Sequence, residues 1–113
     1  FAKKFWDKMN RPPTYVQAGV YSSIFHYLKA VKAAGSSDGK LVAAKMRELP
    51  VNDLTVKNGH LRADGRLVRD WYQLQVKSPA ESTKPWDYYK IIRRVPAKDA
   101  VGDAPSAQCK MPG

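Results

Sequence analysis

The chain has 113 residues, of which 20 are lysine or arginine and 10 are aspartate or glutamate, giving a formal net charge of +10. No apolar run approaches the roughly 20 residues that a membrane-spanning helix needs. The single cysteine, Cys109, excludes an internal disulfide and a cysteine-based metal cage. The charge favours nucleic acid, an anionic membrane surface or acidic ligands as partners, or else it reflects an ordinary basic surface.

The sequence begins with a predicted helix over residues 1–10. Phe1, Phe5 and Met9 recur on one side of it, and Pro12 and Pro13 end it. A start at Phe1, inside the predicted helix, leads us to expect a processed or truncated product.

A long helix is predicted next, regular from about Gln17 or Gly19 and ended by Gly35 as a left-handed C-cap. Its apolar residues recur at helical spacing and are expected to form the core-facing stripe, which comprises Val20, Ile24, Tyr27, Leu28 and Val31. Ser36, Ser37 and Asp38 offer N-caps for a third helix over residues 39–49, which Pro50 ends.

The second half of the chain changes to strand patterns. Asn58-Gly59 predicts a turn, and Asp64-Gly65 predicts a turn between antiparallel strands. Residues 67–77 form the strongest strand candidate and residues 86–95 a second one. Residues 96–113, poor in large apolar side chains, are expected to form an extended tail.

The sequence contains no recognisable catalytic motif. A Gly-rich phosphate loop, Gly-x-Ser-x-Gly and His-Glu-x-x-His are all absent. His26 and His60 have no carboxylate at ligand spacing, so we expect no metal site and no enzyme activity. Cys109 has no nearby base and is interpreted as a free thiol or as the disulfide partner of a cysteine outside this sequence, rather than as a nucleophile.

Aromatic residues between positions 71 and 89 are interleaved with basic residues. The aromatic members are Trp71, Tyr72, Trp86, Tyr88 and Tyr89, and the basic ones are Lys77, Lys90, Arg93 and Arg94. This arrangement suits either base stacking over a basic groove or ordinary sheet packing with a charged wet face. Tyr15 and Tyr21, near the start of the long helix, are candidate wall residues of a pocket.

Four stretches together resemble one protein family. The segment TYVQAGVYSSIFHYLKAVKAAG, the following SSDGKLVAAKMRELPVND, the hairpin GHLRADGR and the ending WYQLQVKSPAESTKPWDYYKII resemble segments of periplasmic binding proteins of the branched-chain amino acid type. The resemblance spans nearly the whole chain.

The resemblance implies an α/β fold, the C-terminal portion of a bilobed type I periplasmic binding protein. Such proteins have parallel sheets flanked by helices, and most of both lobes would lie upstream of Phe1. Residues 1–13 would end a second-lobe helix, residues 14–85 would belong to the first lobe, and residues 86–113 would form the return crossing and tail.

The resemblance also implies a function. Proteins of this family capture a small solute, such as an amino acid, amide or aromatic acid, in the cleft between two lobes. They deliver it to a membrane permease of an ABC transporter in the periplasm, without a cofactor, a metal or nucleic acid. The implied wall residues of the cleft here are Tyr15, Val16, Gln17, Ala18 and Tyr21. The alternative function is a small basic nucleic-acid-binding domain, whose binding would weaken steeply with salt.

Overall fold

The computed structural model describes residues 1–103. The elements in chain order are α1 (Ala2–Met9), α2 (Tyr15–Ala34), α3 (Gly39–Glu48), β1 (His60–Leu61), β2 (Leu67–Val68), β3 (Trp71–Val76), β4 (Tyr89–Val95) and α4 (Ala97–Ala100). They form two compact units, one of residues 1–69 with Asp103 and one of residues 70–102. Both sheets in the described part of the chain are two-stranded and antiparallel.

The ends of α2 and α3 are fixed by local sequence. Gly35 adopts the left-handed conformation at φ 61° and caps α2, as predicted. Of the three candidate N-caps of α3, Asp38 is the one used, and it accepts hydrogen bonds from two backbone amides at the start of that helix. The start of α2 differs from the prediction. A capping box between Thr14 and Gln17 begins the helix at Tyr15, two to four residues earlier than expected.

The buried face of α2 is not the predicted apolar stripe. Ser22, His26 and Ala30 are 5%, 4% and 0% exposed, and this small, polar face belongs to a helix that packs against α3. The stripe residues Val20, Ile24, Tyr27 and Leu28 are all between 44% and 57% exposed. The prediction that this stripe faces the core is therefore wrong within the described residues, where small side chains permit close helix packing instead.

The polar groups on the buried face of α2 have specific partners, except for His26 Nδ1, which is buried and makes no hydrogen bond among the described residues. His26 Nε2 lies 2.8 Å from the Met46 carbonyl oxygen of α3. The Ser22 hydroxyl donates to an Asp53 carboxylate oxygen at 2.6 Å. The other Asp53 oxygen accepts from the backbone amide and hydroxyl of Thr55 and from the Val56 amide. Asp53 therefore stabilises the turn over residues 53–56 with one carboxylate oxygen and links that turn to α2 with the other.

The Asp53 turn lies over a small apolar cluster. Val42, Val51 and Val56 are each at most 3% exposed. Val51 and Gly59 exchange backbone hydrogen bonds across the turn. The predicted hairpin follows, with β1 and β2 paired around the loop that contains Gly65. The core of the first unit thus lies between α2, α3 and this turn.

Gly59 is expected to be intolerant of a side chain. A Cβ at this position would lie 2.7 Å from Val56 Cγ1 and 3.2 Å from Leu67 Cδ1, and Val56 is buried and stiff. We expect Gly59→Ala to lower the free energy of unfolding by about 1–3 kcal/mol in urea denaturation, as overpacking does. Gly19→Ala is the matched control, because a Cβ there meets nothing within 4 Å and alanine stabilises a helix interior by about 0.5–1 kcal/mol. Equal effects of the two substitutions would contradict this packing argument.

The predicted strand over residues 67–77 is divided in two. Leu67–Val68 pairs with β1, whereas Trp71–Val76 pairs with β4 in the second unit. Between them, Asp70 accepts hydrogen bonds from the Ala97 amide and from Arg94. The alternation of apolar and polar residues could not locate this break, because the break depends on which strand each half pairs with.

The second unit is a hairpin with an exposed apolar face. The register aligns Leu74 with Ile91 and Val76 with Tyr89, and a bulge follows Gln73. These four paired side chains are 51–68% exposed. The strand predicted over residues 86–95 begins only at Tyr89, and Trp86 adopts φ 68° in the preceding turn.

The predicted extended tail is only partly described. Pro96 caps a short helix over Ala97–Ala100, which the prediction did not include. Cys109 and the rest of residues 104–113 lie outside the described residues, so the prediction about its thiol stays a prediction.

Candidate functional site

The five predicted wall residues all lie in the first two turns of α2. They are therefore on the helix itself, not on a segment before it. Tyr21 lies on the same helix face as Gln17 and Ala18, which precede it by four and three residues, whereas Val16 lies on the side of Val20. The structure brings the five residues together in sequence and space but divides them between two faces.

Gln17 is engaged in the start of the helix. Its side-chain oxygen accepts hydrogen bonds from the Thr14 backbone amide and the Thr14 hydroxyl, both at 2.6 Å. This capping role of the Gln17 side-chain amide explains why a glutamine stands at this position without any contact to a ligand. Gln17 is thus first a capping residue.

Tyr15 and Val16 are the most accessible of the five. Tyr15 is 89% exposed and Val16 54% exposed. In the described part of the chain the Tyr15 hydroxyl makes no hydrogen bond. An aromatic ring and an apolar side chain at a helix start can contact a ligand only if a further surface faces them.

Tyr21 belongs to a row of aromatic rings that joins α1 to α2. Phe1 lies between Phe5 and Tyr21, with ring centroids 5.9 and 5.1 Å apart, and the Tyr21 ring stacks on Phe25 at 5.7 Å. Lys29 Nζ lies 4.5 Å from the Phe25 centroid. We call the four rings of Phe1, Phe5, Tyr21 and Phe25 the aromatic row. Within this row the Tyr21 ring contacts Phe1 at the N-terminus of α1 on one side and Phe25 of α2 on the other. Tyr21 therefore helps to pack α1 against α2 whether or not it contacts a ligand.

The aromatic row and the half-buried Asp53 turn were not predicted from the sequence. The spacing of Phe1 and Phe5, and of Tyr21 and Phe25, is i to i+4 in each case, which places each pair on one helix face. That signal was available. The role of Asp53 was not, because its partner Ser22 is 31 positions away.

The basic residues of the hairpin are occupied by polar partners. Lys77 pairs with Asp87 at 2.8 Å, Lys90 with Glu81 at 2.5 Å, and Arg94 with Asp70. The Lys90 hydrogen bond and those from Ser78 lower the pKa of Glu81 to about 2. Arg93 donates to the Gln73 side chain. Cations committed to such pairs are poorly placed to bind phosphates, so the hairpin does not favour nucleic-acid binding.

Metal and membrane features are absent from the described residues. No group of three or more His, Cys, Asp or Glu side chains in residues 1–103 could hold a metal ion. No helix in this range is long and apolar enough to cross a membrane.

Comparison with known proteins identifies the family. A model of the periplasmic binding protein family matches residues 1–83. The chain belongs to the periplasmic binding protein family. A search of curated protein sequences found no match.

Two solved periplasmic binding proteins resemble this one closely. A periplasmic binding protein from Burkholderia mallei is 42% identical over 89% of this chain, with a TM-score of 0.84. A branched-chain amino acid ABC transporter periplasmic ligand-binding protein from Burkholderia xenovorans is 41% identical over 90% of it, also with a TM-score of 0.84. This chain spans 27% of the length of each. The predicted fold class, part of a type I periplasmic binding protein, is confirmed.

Proposed function

We propose that this chain is part of the substrate-binding component of an ABC transporter. It would capture a small solute, an amino acid, amide or aromatic acid, in a cleft between two lobes, and deliver it to a membrane permease from the periplasm without catalysis. The observation that carries this proposal is the 41% identity over 90% of the chain to a ligand-binding protein of a branched-chain amino acid transporter.

The exposed apolar surfaces support a role within a larger body. Both the α2 stripe and one face of the β3–β4 hairpin carry large apolar side chains that are about half exposed or more. An isolated two-stranded hairpin is marginal in water. We propose that further polypeptide of the same fold covers these surfaces, with residues 1–13 in the second lobe, 14–85 in the first, and 86–113 as return crossing and tail.

We further propose that the first turns of α2 border the cleft. Tyr15 and Val16 would contact the solute directly, since both are exposed. Gln17 and Ala18 would line the same edge, and Tyr21 would contact the solute from its place in the aromatic row. The first two residues are the sharpest test, because neither is engaged in a cap or a ring contact.

The test uses a chimera in which this chain replaces the matched 27% of the Burkholderia mallei protein. We expect calorimetry to detect binding of an amino acid, amide or aromatic acid. Tyr15→Ala and Val16→Ala should each weaken that binding about tenfold, since a buried apolar side chain contributes about 1.5–3 kcal/mol.

Lys32→Ala is the control on the same helix, since Lys32 is exposed, lies outside the α2 stripe and is more than four turns further along. A folded chimera that binds none of these solutes would contradict the proposed function. Solute binding that Tyr15→Ala and Val16→Ala leave unchanged would contradict the residue assignment alone.

A further inference from the structure

Asn58 and Gly59 form a reactive dipeptide inside the first unit. Asn58 is the only one of the three asparagines of the chain that a glycine follows. It is exposed, and its side-chain amide makes no hydrogen bond in the described part of the chain. A glycine has no Cβ to hinder its backbone nitrogen, so that nitrogen can reach the side-chain carbonyl carbon of the preceding asparagine. The sequence thus places a nucleophile next to an electrophile.

The fold engages the nucleophile of this dipeptide. The Gly59 amide donates to the Val51 carbonyl oxygen at 3.1 Å, and the Val51 amide donates to the Gly59 carbonyl oxygen at 2.7 Å. We call these two hydrogen bonds the Val51–Gly59 bridge. The Asn58 amide donates to Asn52 Oδ1 at 2.8 Å and holds the residue before the bridge. Because Val51 is only 2% exposed, the Gly59 nitrogen becomes available for reaction only when the bridge opens.

A second dipeptide of the same kind, Asp64-Gly65, lacks a suitable electrophile. Arg62 donates hydrogen bonds to both Asp64 carboxylate oxygens. These hydrogen bonds lower the pKa of Asp64 to about 2, so its carboxyl group is ionised at neutral pH. A nucleophile attacks a carboxylate anion poorly, whereas the side-chain amide of Asn58 is uncharged. Asn58 is therefore the more reactive of the two residues.

We propose that Asn58 is a site of spontaneous deamidation whose rate is set by opening of the Val51–Gly59 bridge. The Gly59 nitrogen loses its proton to a base and attacks Asn58 Cγ. A C–N bond forms, the Cγ–Nδ2 bond breaks, and ammonia leaves after taking up a proton. Water then adds to either carbonyl carbon of the resulting succinimide and opens the ring to aspartate or isoaspartate, with no oxidation or reduction. The reaction joins neighbouring residues and needs only water, so it does not depend on the proposed function or on an unoccupied surface.

The isoaspartate product is expected to keep the bridge open. It routes the main chain through the side-chain carbon and adds a methylene group between residues 58 and 59. Asn52 holds the amide before this methylene, and Val51 holds the glycine after it. Gly59 is also tightly packed, since a Cβ there would lie 2.7 Å from Val56 Cγ1. A longer main chain cannot keep both contacts, whereas the aspartate product leaves the main-chain length unchanged.

The test measures deamidation in the 113-residue chain by mass spectrometry, with a free peptide of residues 55–62 as the unstructured reference. Hydrogen exchange of the Gly59 amide is measured on the same sample of the chain. We expect Asn58 to deamidate at least about tenfold more slowly in the chain than in the peptide, because two backbone hydrogen bonds must break first. This slowing should equal the protection of the Gly59 amide from exchange, and both should fall together as urea is added.

Two substitutions test the control by the turn. Asn52→Ala should speed deamidation of Asn58 about fivefold, because it removes the acceptor that holds the Asn58 amide. Asn10→Ala is the matched control, an identical substitution at an exposed asparagine outside the turn, and should leave the rate unchanged. After separation of the products, the Gly59 amide should have lost its protection in the isoaspartate form and should keep it in the variant Asn58→Asp.

Three results would overturn the proposal. Deamidation of Asn58 as fast in the chain as in the peptide, while the Gly59 amide is protected from exchange, would show that the bridge does not control the reaction. A variant Asn52→Ala that lowers this protection without raising the rate would show the same. Faster deamidation at Asn10 or Asn52 than at Asn58 would show that the following glycine does not select the site.

Discussion

Replacing Asp53 by alanine is expected to lower the free energy of unfolding by about 3 kcal/mol. The substitution removes the acceptor of four hydrogen bonds, one from the buried Ser22 hydroxyl and three from Thr55 and Val56. Hydrogen bonds to a charged acceptor contribute about 1.5–3 kcal/mol, and a buried donor left without a partner adds its desolvation cost. Urea denaturation followed by circular dichroism measures the change.

Two further variants separate the causes. Asp53→Asn keeps the shape and one carbonyl oxygen but loses the charge, so it should cost less than alanine. Asp7→Ala is the control, since Asp7 is exposed and forms no ion pair within the described residues. An Asp53→Ala protein as stable as Asp7→Ala would contradict the role of the turn.

The Asp53 turn also predicts a pH dependence. Burial raises the pKa of Asp53, but the hydrogen bonds from Ser22, Thr55 and Val56 outweigh burial and leave that pKa below its ordinary value. A carboxyl group with a lowered pKa in the folded state stabilises the fold above its unfolded pKa, and this contribution is lost as pH falls through the folded pKa. The stability difference between the parent and Asp53→Asn should therefore shrink as the pH is lowered below about 4.

The second large effect is expected at Ala30 of α2. Ala30 is 0% exposed, so Ala30→Asp places a carboxylate on the buried face of α2, where water cannot solvate its charge. An uncompensated buried charge costs about 3–5 kcal/mol, and we expect the variant to be largely unfolded by circular dichroism at neutral pH. The matched control is Ala33→Asp, an identical substitution at an exposed position of the same helix.

A milder variant keeps this prediction measurable if Ala30→Asp does not fold. Ala30→Ser adds one hydroxyl and should lower the free energy of unfolding by about 1–3 kcal/mol if the site has no partner for it. If Ala30→Ser and Ala33→Asp both matched the parent in urea denaturation, the close packing of α2 on α3 would be disproved.

Local signals in the sequence predicted the helices well. Gly35 and Asp38 cap their helices as expected, since a cap depends only on neighbouring backbone groups. The buried face of α2 was predicted wrongly, because hydrophobicity alone favoured the stripe with Ile24 over the face with Ala30. Hydrophobic periodicity identifies an apolar face but not the surface that the neighbouring helix in this chain covers.

Long-range strand pairing and the ligand site were harder to predict from the sequence than the helix caps. The break at Asp70 depends on contacts with Arg94 and Ala97, more than 20 residues away. The prediction of the wall residues rested on the family resemblance, and the structure adds that Gln17 caps a helix and Tyr21 stacks on Phe25. The family itself was recognisable because four separate segments resembled it together.

The hydrogen bonds of the Asp53 turn allow the packing of the first unit to be measured by hydrogen exchange. The amides of Thr55 and Val56 lie outside every helix and strand, yet both donate to a carboxylate that Ser22 anchors to α2. These two amides can exchange with deuterium only after their hydrogen bonds to the Asp53 carboxylate break. Their exchange rates therefore measure how often the turn detaches from α2. The exchange rates of these two loop amides thus report, at single-residue level, whether the turn is packed on α2.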